Sequence, residues 1–282
     1  MPELTQHITV KLCNLHPALR SLIRHIVLID ADFGNEPVNM IGNYMPSPDQ
    51  AIFINLFTRF KSQKSGDYNF NPVTSCTLIG AQITPFKLLT TESHKTMCII
   101  FQPGGLNRLL GIPLTELFDN GYSARDVIGK EIDELIDQCH HANSLDEFEN
   151  IVQYYFLSKL ASVKEPLPID FALQFLLENY NSEIGQVASM ACMSIRTFER
   201  KCHERLGMSA KMYARIARFH NAYKTLETHQ NISWTDLAYG TGYYDQMHFI
   251  KDFKEFAKST PTMVQKELSE GQIQYQFDWD KI

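Results

Sequence analysis

Two helix-turn-helix patterns follow one another between Ile184 and Pro261, about fifty residues apart, and this doubling constrains the chain more than any other feature. The first runs from Ile184 to Gly207. Its Ile184, Val187, Ala188 and Ala191 recur at helical spacing and give a short helix one apolar face. Ser194 then stands where an N-cap is wanted, its hydroxyl able to accept from a free N–H of the first turn, and Phe198, Cys202 and Leu206 stripe the next helix. The opposite face of that helix carries Arg196, Glu199, Arg200 and Lys201. The second pattern runs from Ser233 to Pro261 with Gly242 at its turn. Leu237-Ala238 stand 50 residues after Val187-Ala188, whereas Phe249, Lys251 and Phe253 stand 51 after Phe198, Arg200 and Cys202. The second unit therefore holds one extra residue at its turn, and the pair is a degenerate internal repeat.

Between the units, Met212, Ile216, Phe219, Tyr223 and Leu226 recur at steps of three or four, which predicts one long amphipathic helix from Ser209 to His229. At 1.5 Å per residue it extends roughly 30 Å, close to the roughly 34 Å between successive major-groove faces on one side of B-DNA. A single chain can then set two reading helices in adjacent grooves.

The net charge of −6 argues against a DNA binder until it is divided. Residues 183–266 carry +4, residues 1–182 carry −7 and residues 267–282 carry −3. Positive charge is concentrated where phosphate neutralisation needs it. A length of 282 residues with 44% hydrophobic content suggests about two domains with sizeable cores.

With these residues in place, the region from about 170 to 266 resembles the AraC/XylS family of bacterial transcription regulators. The resemblance rests on Val187-Ala188, Ser194, Phe198, Arg200, Gly207 and Ser209 in the first unit, and on Arg218-Phe219 and Ala222 in the linking helix. In the second unit it rests on Leu237-Ala238, Gly242-Tyr243, Asp245-Gln246, Phe249, Phe253-Lys254 and Thr260-Pro261. The chain departs from the family at Cys192 and Ala257, where glycine is common, and at Ala210, where proline is usual. A non-glycine residue at positive φ costs about 1–2 kcal/mol, so these departures bear on turn geometry.

The chain before residue 160 has a different character. Leu22–Ile29, Ala51–Phe57 and Thr96–Phe101 are short β-prone runs separated by polar and Pro/Gly-bearing segments, which predicts an antiparallel β domain. Gln102–Pro113 turns the chain from strand into helix, and Val127–Leu160 reads as mostly helical. Tyr44-Met-Pro-Ser-Pro-Asp-Gln, Ile79-Gly-Ala-Gln-Ile-Thr-Pro and Phe101-Gln-Pro-Gly-Gly-Leu resemble a sensor domain found in a subset of AraC-type regulators. That resemblance implies a β-rich, cupin-like module that binds an effector or a second subunit. The expected fold is α+β: a sensor or dimerisation domain over 1–162, a linker over 163–168, an all-α double helix-turn-helix domain over 169–266 and an acidic tail over 267–282.

Enzyme-like features were weighed against this reading. Cys139-His140-His141 offers three metal-ligand types, but neighbours on a helix point apart and no partner group stands at metal-site spacing. His7, His16, His25 and His94 are scattered, and the Gly-x-Ser-x-Gly elbow, the phosphate loop and the dinucleotide fingerprint are absent. Gly104-Gly105 before a helix suits either an anion cradle or a tight turn, and the turn is preferred. No catalytic residue, metal or cofactor is expected; the alternative is a metal- or ligand-dependent enzyme with a regulatory DNA-binding tail. An adaptor whose helix-turn-helix units no longer touch DNA is a third class, which salt-dependent DNA binding would exclude. Six cysteines without paired spacing, no secretory start and no apolar run near 18 residues fit a reducing cytoplasm without a membrane span.

The expected function is a DNA-binding transcription regulator, with double-stranded promoter DNA as partner and an effector or a homodimer acting through the N-terminal domain. An RNA polymerase contact is a further partner of this class. By alignment with the family pattern, Arg196, Glu199 and Arg200 are the candidates of the first unit for base or adjacent phosphate contact, and Gln246, Met247 and Lys251 those of the second. Lys201 and Lys254 are expected to meet phosphate or simply water, and Ser194 is assigned to the cap at the interface.

Overall fold

The computed structural model describes residues 8–34, 38–57, 60–270 and 273–274; the first seven residues and all of the expected acidic tail beyond 270 except Ile273–Gln274 lie outside the described residues. Among the described residues, ten strands build the N-terminal half: β1 Ile8–Leu12, β2 Ile23–Ala31, β3 Met40–Tyr44, β4 Ala51–Leu56, β5 Lys61–Lys64, β6 Asn71–Pro72, β7 Cys76–Ile79, β8 Phe86–Thr90, β9 His94–Phe101 and β10 Gly121–Ser123. They form two antiparallel sheets, one ordered β1-β2-β9-β4-β7-β10 and the other β3-β8-β5-β6. A further strand, β11 Ile273–Gln274, adds in parallel to the free edge of β3.

Strand alternation decides what each sheet face does. On the first sheet Ile26, Leu28, Ile52, Ile54, Met97 and Ile99 point to one side and enter the largest core. The helix α1 Gly105–Leu110 stands between β9 and β10, α2 Ala124–Ile128, α3 Glu131–His140 and α4 Leu145–Lys159 follow β10, and Leu106, Leu135, Phe148 and Phe156 pack into that core. The intervening residues, Ile29, Phe53, Asn55, Thr96 and Cys98, turn instead toward the second sheet and line a cavity between the two. The three runs expected as strands are β2, β4 and β9, and the helical stretch expected after residue 127 is α3 and α4.

Residues 163–167 lie outside helix and strand, and Pro168 opens α5 Pro168–Glu178 at its first position, where a missing N–H costs nothing. After it come α6 Ile184–Met190, α7 Ile195–Leu206, α8 Ala210–Thr228, α9 Trp234–Gly240, α10 Gln246–Phe256 and α11 Pro261–Ser269. The last helix runs three residues past 266, the boundary expected from the sequence. Ser194, Ser209, Ser233, Asp245 and Thr260 each accept from the backbone N–H three residues on, so a side chain caps every helix from α7 to α11.

The 19-residue α8 threads both helix-turn-helix cores. Ala210, Tyr213 and Ala214 near its start pack with Val187, Ala188, Phe198 and Cys202. Ile216, Phe219, Tyr223 and Leu226 further on pack with Leu237, Ala238, Phe249 and Phe253. The repeat extends to the backbone. Gly242 has φ +78°, and its counterpart 50 residues earlier, Cys192, has φ +55° despite its side chain. At the other departure Ala257 stays right-handed at φ −79°, and the positive φ falls on Lys258, the counterpart of Gly207.

The N-terminal domain reaches into both helical cores. Met45 is buried in the core of the second unit and Ala81 in that of the first, and Ile83 packs against both. His220, on α8, lies at this seam with Nδ1 3.3 Å from the Pro46 carbonyl oxygen, so the ring N–H donates to it. Burial holds its pKa down, to about 4 against an ordinary 6.5. The folded state thus refuses a proton that the unfolded chain accepts below pH 6.5, and stability falls as pH drops from 6.5 toward 4. For the full chain, urea unfolding at pH 7 and pH 5 should show an acid loss that His220→Asn reduces by about 2 kcal/mol. An unchanged loss in the variant would show that His220 is not protected at the seam.

Candidate nucleic-acid interface

Each unit presents its second helix with the apolar stripe inward, so the residues between stripe positions face out. On α7, Phe198, Cys202 and Leu206 are buried while Arg196 and Arg200 are exposed. On α10, Phe249 and Phe253 are buried while Gln246, Met247, Lys251 and Lys254 are exposed. Arg196, Arg200, Lys251 and Lys254 carry no ion pair among the described residues. The outer faces therefore hold cationic and amide groups whose partners are solvent.

Two residues expected at the interface have other partners. The Glu199 carboxylate accepts from the Ala210 backbone N–H at 3.0 Å, satisfying an orphan donor at the start of α8, so it braces two helices against each other. Lys201 is half-buried with Nζ 2.7 Å from Glu204 Oε2, a pairing that holds the Glu204 carboxyl below its usual range. Ser194 is exposed, with its hydroxyl accepting from Thr197 N–H at 3.3 Å. Its capping role is the one the geometry displays.

The second unit is braced by charges that add nothing to the outer face. Arg215 on α8 donates to Asp252 Oδ1 at 2.6 Å and Glu255 Oε2 at 2.7 Å on α10, which keeps the Glu255 carboxyl below its usual range. Arg218 lies 4.5 Å from the centre of the Tyr243 ring, a cation–π contact, and 3.5 Å from Asp252 Oδ2. Asp245, the cap of α10, is likewise held ionised, chiefly by the His248 backbone N–H. Arg218, Tyr243 and Asp245, which the sequence marks as a set, are thus the parts that aim α10.

Sequence reasoning passed over Tyr239 and Tyr244, which are 62% and 87% exposed beside the outward residues of the second unit. Large aromatics with no apolar periodicity around them were the available signal. Exposed Met190 and Ile195 stand at the matching edge of the first unit.

The first unit is fixed from the other side by a buried ion pair. Asp170 on α5 and Arg205 on α7 meet through Oδ1 and Nη1, both side chains more than 90% buried. The other carboxylate oxygen accepts from Leu167 N–H at 2.7 Å, and the Arg205 carbonyl oxygen accepts from Gln50 Nε2 at 3.0 Å, across the domain seam. Gly104 packs on this pair: a Cβ there would lie 3.1 Å from Asp170 Oδ1. The Gly104-Gly105 turn is therefore closed over by a carboxylate of the chain itself. Gly207 ends α7 at φ +81°, where a Cβ would also meet the Leu114 carbonyl oxygen at 2.7 Å, so both conformation and close approach require glycine. Cys139 is buried while His140 and His141 are exposed, and no group of three His, Cys, Asp or Glu among the described residues is arranged to hold a metal. No helix is long and apolar enough to cross a membrane among the described residues.

Residues 187–267 match a family described as a helix-turn-helix domain, and residues 15–123 match a domain of unknown function (DUF6597). The C-terminal part is an AraC-type helix-turn-helix domain, set behind a β-rich N-terminal domain of that second family. Among characterised relatives, the HTH-type transcriptional activator RhaS of Escherichia coli (strain K12 / DH10B) is 23% identical over 164 residues, covering 53% of this chain. The chain spans 59% of the length of that relative. Among solved structures, ToxT from Vibrio cholerae O395 aligns over 94% of this chain and 99% of its own at 12% identity and a TM-score of 0.45. The AraC-like transcriptional activator CuxR aligns over 78% of this chain and 89% of its own at 14% identity and a TM-score of 0.26.

Removing one partner of a buried ion pair strands the other charge, at a cost of about 3–5 kcal/mol, whereas replacing both with apolar residues of similar size is often close to neutral. Thermal and urea unfolding should therefore show Asp170→Leu strongly destabilised and the double variant Asp170→Leu/Arg205→Met largely recovered. A double variant as unstable as the single one would mean that the pair fixes α7 by more than charge balance.

Proposed function

We propose that the chain is a one-component, sequence-specific regulator of transcription, in which the helical domain reads promoter DNA and the N-terminal domain controls that reading. The observation that carries this is the pairing of two outward faces, Arg196/Arg200 on α7 and Gln246/Met247/Lys251 on α10, held by one helix that runs through both cores. Arginine suits the O6/N7 edge of guanine, glutamine the N6/N7 edge of adenine, and Met247 a thymine methyl. Lys254 and the capped helix starts position the protein on phosphates. The naming of RhaS as a transcriptional activator supports the reading. A cytoplasmic location, a second copy of the chain bound through the N-terminal domain and a contact with RNA polymerase belong to the same proposal.

Control passes through the seam. Met45 and Ala81 sit inside the two reading cores, and their neighbours Tyr44 and Gln82 line the cavity between the sheets. What fills that cavity has a short mechanical path to both units.

The test uses a duplex selected from random sequence by the wild-type protein, with affinity followed by fluorescence anisotropy at fixed salt. Arg200→Ala should weaken binding by about 1–3 kcal/mol if its guanidinium reads a base edge, and the double variant Arg200→Ala/Lys251→Ala should weaken it further and flatten the salt dependence. A double variant that stays folded by circular dichroism and binds as tightly as wild type would show that these faces do not touch DNA.

A further inference from the structure

The cavity between the sheets encloses about 340 Å³, within the usual range for small-molecule sites. One wall is aromatic and aliphatic. Tyr44 stacks on Phe86 with centroids 4.6 Å apart and meets Phe53 edge-on, and Met40, Ile29 and Cys98 complete the apolar surface. Polar side chains line it as well, and three of them stand together on the adjacent strands β4 and β9. Asn55 on β4 and Thr96 on β9 are register partners, and Thr96 Oγ1 donates to Asn55 Oδ1 at 3.0 Å. That bond occupies the amide oxygen and leaves Nδ2 as a donor at the cavity wall. His94, buried and in edge contact with Phe60, places Nδ1 3.2 Å from the Glu92 carbonyl oxygen. Its Nδ1–H therefore donates outward, and Nε2 remains as an acceptor. Burial keeps this imidazole below the ordinary histidine pKa and so neutral at neutral pH.

The one lysine that lines the cavity among the described residues is paired. Lys64 Nζ lies 2.8 Å from Asp119 Oδ2, and the Asp119 carboxylate also accepts from Ile83 N–H, Thr84 N–H and the Thr84 hydroxyl. Asp67, at the rim, is exposed and repels an anion. A carboxylate or phosphate entering here finds no unpaired cation among the described residues. On the side of Phe53, Phe86 and Cys98 a sugar would leave its hydroxyls without partners, at a desolvation cost for each unmet group.

We propose that this cavity binds an uncharged, largely apolar, ring-bearing molecule carrying one hydroxyl or carbonyl group, stacked among Tyr44, Phe53 and Phe86 and oriented by Asn55 and His94. The assignment rests on the reading above that the N-terminal domain controls DNA binding. It adds the class of molecule that does so. A hydroxyl uses both polar groups, accepting from Asn55 Nδ2 and donating to His94 Nε2; a carbonyl uses the first alone.

The test compares probes of one shape on the full chain by isothermal titration calorimetry: 4-phenylphenol, 4-phenylbenzoate, 4-phenylbenzylamine, and D-glucose as the polyhydroxyl control. The phenol should bind one to one, with the charged analogues and glucose at least tenfold weaker. Asn55→Leu should weaken the phenol at least tenfold. Should that variant fail to fold, Leu88→Phe on the facing sheet narrows the cavity without touching either polar group, and it should weaken the phenol as well. Tighter binding of the carboxylate, the amine or glucose overturns the proposal, as does binding of none of the four, or phenol binding that neither variant alters. The same titrations repeated by anisotropy on the selected duplex separate the two claims. Phenol binding that leaves DNA affinity unchanged upholds the ligand class and removes the control function. An empty cavity in a protein whose DNA affinity still depends on Tyr44 or Met45 does the reverse.

Discussion

Everything in the helical domain depends on α8 being one uninterrupted helix shared by two cores. Tyr213 near its start and Phe219 near its middle are fully buried in different units, so neither core can form without fixing the other's position. At 1.5 Å per residue its 19 residues span about 28 Å. The caps at either side then set direction. Ser209 starts the shared helix, Ser194 and Asp245 start the two reading helices, and Glu199 and Arg215 tie each reading helix back to α8. Charged residues that a count would assign to DNA are in part the braces that hold the readers in place.

The N-terminal domain does not merely precede this frame but enters it. Met45 and Ala81 contribute to its two cores, Gln50 holds the Arg205 carbonyl, and Leu114 closes on Gly207. The segments that supply Met45, Gln50 and Ala81, 44–50 and 79–85, also border the cavity between the sheets through Tyr44, Ile79 and Gln82. In the proposed function, these packed side chains would carry binding energy in the cavity to the relative setting of the two outward helices. Any effector shifts the balance only by its differential affinity for the two settings.

Much of this was legible in the sequence, and for identifiable reasons. Period-3.6 stripes with Ser or Asp ahead of them give helices and their starts almost to the residue, as Ser194 and Ser209 show. The departure from glycine at Cys192 left its turn open in the sequence, and the structure gives it the positive φ of Gly242, 50 residues on. The strands β2, β4 and β9 were visible as apolar runs because both their faces are covered. What stayed hidden was partnership across distance. Glu199 reads as an outward helix residue until Ala210, on the next helix, is seen beside it. The motifs around Tyr44 and Ile79 stood out as a pattern, but no periodicity tells that they plug the cores of another domain. The cavity was likewise unreadable, since Asn55 and Thr96 are 41 residues apart and meet only through strand register.

The central claim is that one rigid helix sets two readers on one face of the duplex. Hydroxyl-radical footprinting of the full chain on its selected duplex tests it directly. The account predicts two protected patches about one helical turn apart, roughly 10 base pairs, on the same side of the DNA, with Arg200→Ala weakening one and Lys251→Ala the other. A single protected patch, two patches on opposite faces, or a spacing that varies between bound sites would contradict it.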